Sequence, residues 1–307
     1  MNSQDRLHLL AERKFLQERL AELPASARIT RISAESRLRV VDERLAQAPV
    51  GEREPARARL TFKGRPVIGS HGIFADFSMK AVNSFTEAVA AVAASLTAPL
   101  AAMGPIPNRE QNQLLITSTA LGSFGFELEE YRLGQLTLDD QSTVELALER
   151  TQNLLQGSTD PDDELLADSA AELDQRALDK VRAFINTLAE NDATCTLQFR
   201  NRAFRFTDSG QVRRSRQRMS QDNLHEEEQI LKGEFQGVLP KRRTFEFKLQ
   251  ETDEVIAGKI GPAIATADEF NAHLYQTVSV RLMVTRVGNG RPRYLLLETP
   301  DWTAGNP

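Results

Sequence analysis

Apolar residues recur over the first part of the chain with the spacing of two amphipathic helices. Leu9, Leu16, Leu20 and Leu23 line one helical face, and after Pro24 a second face carries Ala34, Leu38, Val41 and Leu45, ending before Pro49. These helices predict a coiled-coil-like hairpin over residues 1–50. Two helices of this length cover each other only in part, so an apolar seam is expected to meet the rest of the chain or a second copy. "APVGEREPARAR", with its prolines and alternating charge, supplies a linker at 51–58.

Beyond the linker the period changes repeatedly. "RLTFKGRPVIG" predicts a small hairpin or bent strand, and Phe77, Ala81, Phe85, Val89, Val92 and Leu96 then follow helical spacing up to Pro99. Alternation around Phe124, Phe126 and Leu128 predicts a hairpin turning near Leu121 and Gly122, and "TCTLQFRNRAFRF" predicts another turning at Arg200 to Arg202. With helices over 140–156 and 163–190, these elements make a central mixed domain of hairpins and helices, 59–230. Five strand-like segments follow, "GEFQGVL", "RTFEFKLQ", "EVIAGKI", "QTVSVRLMVTRV" and "RPRYLLLE", with the short helical "ADEFNAHL" between the third and fourth. That order predicts a small β-barrel at 231–300, either OB-like (oligonucleotide/oligosaccharide-binding) or SH3-like, with 301–307 as a tail. The fold class is therefore multidomain α+β.

Composition narrows the partners. The net charge of −5 argues against a surface that is basic overall, so any polyanion site is local. One cysteine, Cys195, excludes an internal disulfide and a cysteine-rich metal site, and its alternating context suits a buried side chain. The N-terminus is charged throughout and the longest apolar run, 88–103, contains Pro99 and is too short to span a bilayer; the expectation is a cytoplasmic protein with no membrane partner. No metal or cofactor motif stands out, and His8, His225 and His273 sit in charged, helix-like contexts without ligand spacing.

Two sets of residues carry candidate chemistry. "GSHG" and the residues after it place Ser70, His71 and Asp76 close together. The spacing is not that of a nucleophile elbow, and the motif reads first as a turn, with Gly69 and Gly72 permitting the bend and Asp76 or Ser78 capping the next helix. Its functional version is an anion site at a helix start, with Glu127, Glu129 and Glu130 as carboxylates, which defines the alternative activity: a hydrolase or nuclease on a phosphate-containing substrate. The second set is basic. Lys241, Arg242 and Arg243 fall between the first two barrel strands, while Arg291 and Arg293 flank the last turn, positions that bracket the groove of an OB barrel. Phe245 and Phe247 share a face with Leu249 and are expected in the core. The acidic run 160–174 suits helix starts and a solvated face, and the arginine-rich run 200–218 is expected to be neutralised by it or to meet phosphates. The preferred function is a non-enzymatic binding or adaptor protein that self-associates, or recruits a partner, through its hairpin and meets nucleic acid or an acidic protein through its barrel.

Overall fold

The computed structural model describes residues 3–24, 27–46, 55–101, 103–120, 124–131 and 141–302. They divide into two compact units, one drawn from 1–56 and 131–141, the other from 57–130 and 142–307.

In the first unit, α1 (Ser3–Glu22) and α2 (Arg28–Ala46) bury Leu9, Leu16, Ala34 and Val41 together, flanked by Leu20, Leu38 and Leu45. Ion pairs Arg13–Asp42 (2.8 Å) and Arg37–Glu12 (2.6 Å) join the helices beside that seam. Arg31 donates to the carbonyls of Leu20 and Leu23, which lack partners within their own helix end. Phe15, Ile29 and Ile32 lie outside the seam, exposed.

The second unit begins with β1 (Arg57–Gly64), a ribbon of β2 (Val67–Ile68) and β3 (Gly72–Ile73), and α3 (Ala75–Ser95). It continues through β4 (Leu114–Thr119), β5 (Phe124–Glu130), α4 (Thr143–Thr159), α5 (Asp163–Ala170), α6 (Gln175–Glu190), β6 (Ala193–Phe199), β7 (Arg202–Arg205) and α7 (Ser209–Arg218). The strands form an antiparallel sheet in the order β4-β5-β1-β6-β7. Alternation along β1 turns Ala58, Leu60 and Phe62 into the core, where Phe62 meets Phe77 of α3 edge to face at 5.4 Å. Gly125 of β5 has no room for a side chain, because a Cβ would strike the backbone of Leu60 and Thr61 on β1. The alanines of α3 are buried almost all round, and their small size lets both α4 and α6 pack against it.

The helix expected over 163–190 is two helices. Asp162 and Asp174 each accept a backbone N–H two residues on, from Glu164 (2.9 Å) and Arg176 (2.8 Å), and so start α5 and α6 separately. The start of α3 corrects another expectation: its N-cap is Phe74, with no side-chain cap, and neither Asp76 nor Ser78 plays that part.

β8 (Leu224–Leu239), β9 (Thr244–Leu249), β10 (Val255–Ile260), β11 (Thr277–Val287) and β12 (Arg293–Leu296) close into a barrel in the order β10-β12-β11-β8-β9. β8 pairs with β11 along its first part and with β9 along its end, bending at a bulge between Phe235 and Gly237. β10 and β12 are parallel; the other neighbours are antiparallel. Phe235 is the hub of the core, in ring contact with Phe245, Phe247, Phe270 and Trp302. Trp302, assigned to the tail by the pattern, also stacks on His273 at 4.4 Å. His225 lies on β8 opposite Arg286 and not in helical surroundings, because the pairing with β11 extends the strand back to Leu224. Among the described residues no helix is long and apolar enough to cross a membrane.

Candidate ligand-binding cleft

A cleft of about 840 Å³ opens where the barrel faces the end of α3 and the turn between α5 and α6. Strand parity builds its floor. Leu282 and Leu296 point into the barrel and are wholly buried, so their neighbours Met283 and Leu295, paired across β11 and β12, must point out. Leu297, Ile260, Leu96 and Leu100 extend this aliphatic surface.

The walls are charged and largely braced. Glu172 sits between Arg150 of α4 and Lys259 of β10, paired with both. Burial holds the pKa of Lys259 below its ordinary value, and the Arg150 charge adds to the effect; burial also lowers Arg150. Asp174 accepts from the backbone of Leu100 (3.1 Å) as well as capping α6. Arg176 donates to the carbonyls of Ala101 (3.0 Å) and Gly104, tying the loop after α3 to the start of α6. Asp179 pairs with Arg182 (2.7 Å).

The basic loop Lys241 to Arg243 forms one rim, and its three cations differ. Arg243, at a left-handed backbone position (φ 51°), donates to the carbonyls of Ile260 (3.3 Å), Gly261 and Ile264 (2.8 Å). It clamps the chain leaving β10 against the turn Pro240–Arg242 and is a brace for the rim. Lys241 and Arg242 are exposed and have no ion pair among the described residues. Glu228, exposed on β8, is the one acid lining the cleft without a pairing of its own among the described residues.

The other two predicted cations lie elsewhere. Arg293 pairs with Asp168 and Glu164 of α5 and lines a neighbouring cleft of about 510 Å³ with Gly258 and Tyr294; Arg291 is exposed and lines neither cleft. The acidic run thus spends Asp162 and Asp174 on caps, Glu164, Asp168 and Glu172 on barrel or α4 cations, and Asp163 on Arg218. Of the arginine-rich run, Arg200 pairs with Glu145 and Glu149 and Arg213 with Asp192, acids outside 160–174.

The residues of the hydrolase alternative are not gathered in any of these clefts. His71 donates its backbone N–H to Ile68 (3.0 Å) and Gly69 takes a positive φ of 57°, which closes a tight turn between β2 and β3. Ser70, His71 and Asp76 are exposed. Glu127 and Glu129 pair across the sheet with Arg59 (2.5 Å) and Arg57 (3.1 Å), in register on β1 and β5, and Glu130 is buried. Burial pushes the Cys195 thiol above its ordinary pKa, which leaves it protonated and inert. Among the described residues no group of three or more His, Cys, Asp or Glu is placed to hold a metal.

Arg150, Lys259, Met283 and Leu297 belong to the cleft and were not singled out by the pattern. Lys259 alone had a visible signal, a cation interrupting the apolar strand "EVIAGKI". No family model matches the chain, and no curated protein or solved structure is similar enough to lend it a function.

Proposed function

We propose that this chain is a non-enzymatic binding or adaptor protein whose cleft beside the barrel receives an anionic macromolecule, nucleic acid or acidic protein, with Lys241 and Arg242 supplying the charge. The observation that carries this is the pair of adjacent, exposed cations, without an ion pair among the described residues, at the mouth of the larger cleft, on a loop that Arg243 holds in place. An OB-type barrel is favoured over an SH3-like one by the strand order, the parallel β10–β12 pair and the helical turn Glu269–His273 between β10 and β11. A cytoplasmic setting accords with a chain that carries one buried cysteine. Self-association through α1 and α2 is supported by the exposed Phe15, Ile29 and Ile32, and Ile29→Ser with Ile32→Ser should then lower the mass seen by light scattering.

The test of binding is a titration of the full chain with labelled oligothymidylate and poly-glutamate at low salt. At least one should bind, with affinity falling as salt rises, and Lys241→Ser with Arg242→Ser should weaken it about tenfold or more. Failure of both probes to bind the unmodified protein removes the proposal.

A further inference from the structure

Building on the anion-binding role just proposed, we infer that the cleft takes an extended acidic protein segment carrying aliphatic side chains, and not a nucleic-acid strand. Among the described residues the lining contains no Phe, Tyr, Trp or His. A single-stranded nucleic acid draws much of its affinity from stacking its bases on such rings, and the cleft offers nothing for them to stack on.

What the cleft does offer is a floor of Leu96, Leu100, Ile260, Met283, Leu295 and Leu297. Met283, Leu295 and Leu297 are only half-buried, so an aliphatic side chain laid over them removes further apolar surface from water, which a sugar-phosphate backbone does not do.

The charges select in the same direction. A nucleic-acid strand presents an anion at every step and is matched by a row of cations. Here, among the described residues, the cations lining the cleft without an ion pair or a carbonyl to bind are Lys241 and Arg242 at one rim, while Arg150 and Lys259 are already engaged by Glu172. Glu228, the acid with no pairing of its own among the described residues, lines the cleft too and would repel a uniformly anionic strand. A ligand that places a few carboxylates at the rim and aliphatic groups on the floor satisfies both. The walls are pre-formed: Arg243 and Arg176 tie the chain segments on either side by backbone carbonyls, so little ordering is left for the ligand to impose.

The experiment is fluorescence anisotropy on the full chain at low salt with three labelled probes: a peptide of repeating Glu-Leu, a poly-glutamate peptide of equal length, and oligothymidylate. The Glu-Leu peptide should bind about tenfold more tightly than either of the others. Met283→Gln and, separately, Leu297→Ser should bring it down to the level of poly-glutamate. Thermal melts of both variants confirm that the barrel is intact, and two independent positions guard against one failing to fold. Equal binding of all three probes, or oligothymidylate ahead, overturns the protein-segment inference and leaves the anion-binding role standing. Binding of none overturns both.

Discussion

Two loops of the barrel look alike in sequence and meet opposite fates. The loop after β8 carries Lys241, Arg242 and Arg243, and the last turn carries Arg291 and Arg293. At the last turn α5 lies alongside, and its Asp168 and Glu164 take up Arg293. At the first loop Glu172 is taken by Arg150 and Lys259 and Asp174 by the start of α6, and Glu228, which shares the cleft, pairs with neither cation, so Lys241 and Arg242 make no ion pair among the described residues. A basic loop is a binding site only where the rest of the chain leaves it unneutralised, and that depends on packing between residues distant in sequence.

A buried carboxyl lies between the barrel and α6, and its titration gives the largest effect. Glu226, on the part of β8 that pairs with β11, faces Arg182 of α6 at 3.7 Å. Burial raises its pKa from an ordinary 4.5 to about 7, opposed by Arg182 and reinforced by Asp179 and Asp174. A raised carboxyl pKa means that the folded protein holds a proton the unfolded chain has lost. The stability it contributes is complete below pH 4.5 and is lost as the pH rises through about 7, a change of at most about 3 kcal/mol. Denaturant melts from pH 4.5 to 8 should show this decline, and Glu226→Gln should flatten it. A variant that keeps the same slope assigns the decline to other groups.

The open rim separates brace from site. Arg243→Ala removes the donor to three carbonyls and should cost about 2 kcal/mol, whereas Lys241→Ala should stay within about 0.5 kcal/mol while weakening anion binding. Paired melting and binding curves decide it. Similar stability losses in the two variants would show that the loop does not distinguish them.

How much of this was legible follows from how local each feature is. The helical spacing from Phe77 and the alternation in the barrel strands are dictated by one element meeting one core, and both lie where the pattern put them except that β8 reaches back to Leu224, before the strand expected at "GEFQGVL". "YLLLE" encodes an inward Leu296 between outward Leu295 and Leu297 by parity alone, although the outward pair acquires a meaning only once α3 and α6 are in place. The break at Asp174 was hidden because its capping competes with an otherwise continuous helical period, and the missing cap at Phe74 because Asp76 sits two residues too late. The cleft joins Leu96, Arg150, Lys259 and Leu297, and no local signal connects them.

The smallest effect tests the comparison itself. If the two rims differ only because α5 neutralises one of them, removing those acids should make them more alike. Asp168→Asn with Glu164→Gln releases the charge of Arg293 beside the exposed Arg291. Both acids are more than half exposed, so the ion pairs contribute little to stability and the variant should melt within about 1 kcal/mol of the parent. Its affinity for poly-glutamate at low salt should rise about threefold through the added positive field, and the gain should vanish at high salt, where charges on the surface are screened. An unchanged affinity would mean that the last turn is too far from the bound anion to matter, leaving the loop of Lys241 and Arg242 as the whole of the electrostatic site.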